Sequence, residues 1–248
     1  MQSLYICSVK STTMARNTLK PTLDQTFRIV HTKEAKGHDA DFSAELKRSH
    51  IAEQEGRWEV ACEIRFAAVQ SLVELLPEEE VVELDWEDRA TRDALVLLYS
   101  SAVDFFLVSD WEMAAAQLEM LLDVDSDDHL EATSLLAFAY VAMGEWESLG
   151  DTLPDIDDKS PEKAILLLWS EFLRTGMINK GVLATFKRFH APYHREWCAT
   201  SHPTDSGYVE DISSERPSRE AQARELWLQT EHIWSANGEF IEKLKVES

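Results

Sequence analysis

Four side chains able to bind a metal ion, His190, His194, Cys198 and His202, recur at intervals of four residues. On a helix this spacing places them on one face, and imidazole nitrogen and thiolate sulfur both bind zinc, at about 2.0–2.3 Å. Pro192 and Pro203 confine a helix here to roughly residues 192–201, because proline lacks the amide donor that a helix interior needs. His190 and His202 would then have to reach a common point from bent flanks, and one short helix converges four ligands poorly on a tetrahedron. Structural or surface histidines are the preferred reading, and the four residues define a metal-binding alternative.

A second segment imitates a calcium loop. Residues 123–130 read Asp-Val-Asp-Ser-Asp-Asp-His-Leu, with carboxylates at alternating positions. An EF-hand loop needs glycine sixth, for its sharp turn, and a bidentate glutamate twelfth. Here Asp128 and Ser134 occupy those places. The segment is expected to be an acidic turn in which Asp127 or Asp128 caps a helix starting near His129. No GxSxG, HExxH, Walker loop or GxGxxG occurs. Nothing in the sequence argues positively for an enzyme or a cofactor.

The elements that would carry these residues follow from composition. The chain has 248 residues, 44% hydrophobic and 28% charged, with a formal charge of −22. It is apolar enough to bury a core and too acidic to hold nucleic acid through a basic surface. The charge is uneven: residues 1–40 carry +3, residues 41–160 carry −23 and residues 161–248 carry −2. An acidic middle of this kind steers basic partners at low salt, although solubility alone also explains it. Cys7, Cys62 and Cys198 are odd in number, far apart and without a CxxC pair. They point away from a disulfide framework and toward a reducing, cytoplasmic setting. The longest apolar run, residues 94–108, is interrupted by Ser100, Ser101 and Asp104 and is shorter than a membrane span. A buried helix is expected there, with no membrane insertion. Residues 1–8 lack the charged region of a secretory signal, and Met14 opens MARNTLKP, which marks it as a candidate true start.

Eight glycines and seven prolines suit long helices with short connections. A repeated unit supports this. Gly56-Arg57-Trp58, Ser109-Asp110-Trp111, Gly144-Glu145-Trp146 and Gly176-Met177-Ile178 each place a small residue two before a bulky apolar one, at intervals of 53, 35 and 32. Apolar positions at three- and four-residue spacing precede each small residue and follow the first three, as in two amphipathic helices joined by a tight turn. The small residue is expected to close the turn and the aromatic to staple the second helix. The third unit is clearest, with Leu136, Ala137 and Tyr140 before Gly144, then Trp146, Leu149, Leu153 and Ile156, and Pro161 opening the next helix.

This pattern resembles a degenerate tetratricopeptide repeat over roughly residues 43–190, whose helix-turn-helix unit has a period of about 34 residues. The resemblance implies an all-α, TPR-like α-α superhelix, a solenoid of helical hairpins. Residues 1–40 form an irregular N-terminal tail, 41–190 the repeats, and 191–248 a loop with a C-terminal helical hairpin. The first helix of unit one departs from the family, with Glu45, Arg48 and Ser49 at usually apolar or small positions, and reads as a capping helix. The interval of 53 holds an insertion, residues 77–88, with seven acids among twelve residues. Its Val81, Val82, Leu84 and Trp86 suggest that it packs down, and Asp85 or Asp88 can cap the helix that follows. Residues 26–31 are rich in β-branched or aromatic types but are read as tail rather than strand. Residues 199–217 read as loop and residues 218–234 as helix.

In the family the first helices line a concave surface. By the register above, the resemblance implies a groove at Val96, Tyr99, Val103, Phe106, Glu131, Ser134, Phe138, Val141, Lys163, Leu166, Ser170 and Leu173. Such a groove would take an apolar peptide stripe or an amphipathic helix flanked by basic residues. The competing expectation is that the C-terminal hairpin folds back into it. The function expected is a non-enzymatic protein-interaction module or adaptor. The alternative is a metal-dependent enzyme or metal-binding domain using His190, His194, Cys198 and His202.

Overall fold

In the computed structural model, residues 17–31, 41–77 and 82–247 are described. Cys7, Met14 and residues 78–81 of the acidic insertion lie outside them. The chain is mostly helical, and it divides into two compact units, one of residues 1–100 with 123–126, the other of residues 101–122 with 127–248. No helix of the described residues is long and apolar enough to cross a membrane.

The first unit corrects the irregular-tail expectation for residues 17–31. Strands β1 (Asn17–Pro21) and β2 (Phe27–His31) form an antiparallel hairpin in which Leu19 pairs with Ile29. The insertion supplies the other edge of β2: Phe27 N–H donates to the Glu83 carbonyl and Asp85 N–H to the Phe27 carbonyl, both at 2.8 Å. Because these partners stand more than fifty positions apart, a local reading of residues 26–31 could not count them. Val82 and Leu84 are buried, so the insertion packs down as its apolar residues suggested. Its chain is tied further by Leu84 N–H to the Val124 carbonyl and by Ser126 N–H to Glu83 Oε1. Helices α1 (Phe42–Gln54) and α2 (Trp58–Val73) form a hairpin through Gly56, whose φ is +71°. A 2.7 Å ion pair from the largely buried Arg65 to Glu53 joins them. Helix α3 (Arg89–Leu107), whose residues 101–107 belong to the second unit, begins under a cap from Asp88, which accepts the Thr91 N–H at 3.0 Å.

The second unit holds α4 (Trp111–Val124), α5 (Ala132–Met143), α6 (Trp146–Thr152), α7 (Pro161–Thr175), α8 (Lys180–Phe189), α9 (Ala191–Cys198), α10 (Ser206–Ile212), α11 (Arg219–Ala236) and α12 (Gly238–Val246), although the last two residues of α4 belong to the first unit. The small residues of the repeated unit behave as expected: Ser109, Gly144 and Gly176 have φ of +62°, +76° and +71°. This left-handed conformation ends one helix and turns the chain toward the next. Asp128 closes the calcium-like segment by accepting the Ala132 and Thr133 N–H groups at 2.6 and 3.1 Å, so it caps α5 and the helix starts three residues later than expected. Two expectations fail. The bulky residues after the turns are not core staples throughout, since Trp58 is 62% and Trp146 36% exposed. Each stands at the first position of its helix, where a side chain can lie against its own turn without reaching the interior. The loop expected at residues 199–217 contains α10, which Asp205 caps and Tyr208 ties to Glu225 on α11.

Candidate functional site

Five of the twelve groove positions are buried: Phe106, Phe138, Val141, Leu166 and Ser170. Val96, Tyr99, Val103, Ser134 and Lys163 are half-buried, and Glu131 and Leu173 are exposed. In the second unit the cover is α11. Trp234 stands edge-on to Phe138 with ring centres 6.2 Å apart, and edge-on to Trp169 at 5.3 Å. One half-turn earlier on α11, His232 meets Phe106 edge-on at 5.2 Å and stacks on Trp111 at 5.4 Å. The groove expected here is therefore packed against α11 at Phe106 and Phe138, and Val141 and Leu166 are buried as well. The reason is physical: a row of large apolar side chains without a ligand is best covered by the chain's own amphipathic helix. Burial holds the His232 imidazole below the usual histidine range, against a hydrogen bond to the Phe106 backbone.

The four metal-ligand candidates take different partners. His194 Nε2 and Cys198 Sγ lie 3.6 Å apart on α9. His190 caps the end of α8 and sits near Arg219, with burial first and that guanidinium second holding it below the usual range. Lying beyond the end of α9, His202 donates or accepts through Nδ1 with Glu196 Oε1 at 2.6 Å. Among the described residues no group of three or more His, Cys, Asp or Glu side chains could hold a metal ion.

What His202 does instead was not legible in its spacing. Glu196 is 7% exposed, and Arg224 holds it through two nitrogens, one of them 3.0 Å from Oε2. Arg224 also donates to the Pro203 carbonyl at 2.6 Å. The His202 ring stacks on Trp227, centres 4.1 Å apart at 18°. A buried carboxylate, a guanidinium fork and an aromatic face thus fix both the position and the tilt of one imidazole. This ring lines a pocket of about 490 Å³ floored by Trp234 and Ile241. Glu196 and Arg224 pair across 28 residues, a separation that no spacing rule reveals.

A second cleft, of about 360 Å³, opens outward between α6 and α7. Trp146, Leu149 and Leu153 form one wall, Leu167, Ser170 and Arg174 the other. The Arg174 guanidinium lies over the Trp146 ring at 5.8 Å. Gly150 also lines the cleft and has open space where a side chain would begin. Around it Glu145, Glu147, Asp151 and Asp155 are all exposed.

No family model matches the chain, and neither a characterised protein nor a solved structure does.

Proposed function

We propose that the chain is a non-enzymatic, TPR-like helical-hairpin module that binds a basic amphipathic segment of a protein partner through the outward α6–α7 cleft. The observation that carries the reading is that cleft: an apolar slot with a 36% exposed tryptophan at its mouth. A half-exposed tryptophan beside a slot large enough for one bulky side chain is the anatomy of an interaction hot spot. The exposed acids of α6 and its flanks favour lysines or arginines beside that anchor, consistent with the −23 carried by residues 41–160. Contacts from α11 to Phe106 and Phe138 support the same choice, because they occupy two of the positions at which the resemblance would seat a peptide. The reading places the module in a reducing cytoplasm, in keeping with three cysteines that stand far apart in sequence without a CxxC pair.

The test is fluorescence anisotropy with a panel of basic amphipathic helical peptides, each carrying one bulky apolar anchor. At least one peptide binds, its association slows as salt rises, and Gly150→Trp abolishes capture by filling the slot. The Gly150 position is exposed and open, so this variant stays folded, which circular dichroism checks. Undiminished binding to folded Gly150→Trp excludes the cleft as the contact surface.

A further inference from the structure

Several groups on the lining of the pocket beside His202 can accept a hydrogen bond, with the Lys245 ammonium at its edge. The Nδ1 of His202 faces Glu196, and its Nε2 has no partner among the described residues. In the tautomer that gives Nδ1–H to the carboxylate, Nε2 is an acceptor. Of the three carboxylates nearby, Glu196 is engaged by Arg224 and His202, and Glu242 is engaged by Lys245 at 3.2 Å. Glu231 lines the same pocket and pairs with nothing among the described residues. The Thr200 and Ser235 hydroxyls, also on the lining, are likewise without a partner there. Lys245 lies on the lining with its ammonium on Glu242, and the indole N–H of Trp227, also on the lining, is buried without a partner among the described residues. The floor, Trp234 and Ile241, is apolar.

We infer that this pocket binds a primary ammonium group carried on an apolar or aromatic body. The ammonium offers three donors to Glu231, to His202 Nε2 and to a hydroxyl, and the body covers Trp234 and Ile241. A volume of about 490 Å³ suits a ligand of roughly ten to fifteen heavy atoms, since ligand pockets begin near about 300 Å³. Glu196 and Arg224 are positioning residues: they hold the imidazole without touching the ligand. The inference is independent of the α6–α7 cleft, which lies on other helices. The ammonium can belong to a free amine or to a lysine side chain, and the chemistry is the same.

The experiment titrates the full chain with phenethylamine and, in parallel, with phenethyl alcohol, following the indole N–H NMR signals of Trp227 and Trp234. The amine produces saturable shifts in the millimolar range or tighter, and the alcohol, equal in shape but uncharged, does not. Glu231→Gln, an exposed substitution, weakens the amine about tenfold, as expected for loss of one charge-assisted hydrogen bond. Gly150→Trp leaves the titration unchanged, which separates this site from the peptide cleft. A third arm uses a Leu-Lys peptide and its lysine-acetylated form: tighter binding than phenethylamine, lost on acetylation, assigns the ammonium to a polypeptide, and weaker binding assigns it to a free amine. Equal binding of the alcohol, or no saturable shift with the amine or the peptide, overturns the inference.

Discussion

The Trp234 ring of α11 stands edge-on to Phe138 of α5, ring centres 6.2 Å apart and planes at 78°. That contact seats a C-terminal helix on one of the apolar side chains that the sequence offered to a partner. Trp234 is 2% exposed and donates its indole N–H to Thr230 Oγ1 at 2.8 Å. Replacing it with alanine is expected to cost about 3–5 kcal/mol, the range for a buried aromatic that leaves a cavity.

Trp146→Ala gives the contrasting outcome. Its ring is 36% exposed and rests under Arg174, so the loss is expected to stay near 1–2 kcal/mol, within the ordinary range of single substitutions. Urea denaturation of both variants checks the pair. Equal losses would mean that Trp146 is packed as deeply as Trp234 and would close the slot proposed for a partner.

The turns were legible because they are local. Small residues at positions 56, 109, 144 and 176 all adopt the left-handed conformation, and a chain that must reverse after a helix leaves few residue types for that place. Caps at Asp88 and Asp128, each one of two candidates in the sequence, were legible for the same reason. The β hairpin was not, since β2 finds its second edge in residues 83–85. The Glu196–Arg224–His202 cluster was hidden in the same way, by a pairing that only the fold creates. The groove register picked out Phe106 and Phe138, yet their apolarity alone could not say whether a partner or α11 covers them.

Gly144→Val is expected to destabilise by about 2–3 kcal/mol. An L residue at φ +76° pays roughly 1–2 kcal/mol, and a β-branched side chain pays more. Space is not the difficulty, because a Cβ at Gly144 would sit 3.7 Å from the Trp146 ring, an ordinary contact. Gly144→Asn should therefore recover much of the loss, since asparagine tolerates this region. Thermal melts that rank valine and asparagine alike would refute strain as the cause.

Glu196→Ala is expected to cost about 2–3 kcal/mol, more than a surface ion pair, because it leaves the partly buried Arg224 and His202 without their shared acceptor. Arg224→Lys should not substitute for Arg224, since lysine lacks the planar fork that meets both carboxylate oxygens. Chemical denaturation measures both, and a Lys variant as stable as the parent would show that charge alone suffices.

Acid should weaken the second unit before most carboxylates titrate. Burial is the largest cause holding His190, His194 and His232 below the ordinary histidine value of 6.5, with neighbouring cations adding to the effect at His190 and His194. Their neutral forms are favoured in the fold, whereas the unfolded chain takes up protons near 6.5. The linkage sign follows: between the lowered folded values and 6.5 the unfolded state binds more protons, so stability is full above that window and falls as the pH drops through it. Glu162 opposes this at lower pH, because burial raises its carboxyl above 4.5 and protonation relieves it. His232 is the most telling of the three, with a buried Nε2 that no acceptor meets and aromatic rings of Phe106 and Trp111 against it. His232→Phe keeps a ring in that place and removes the titration. Melting temperatures measured from pH 7.5 downward should decline in the parent and decline less steeply in the variant. Parallel slopes would show that His232 takes up its proton in the fold as readily as in the unfolded chain.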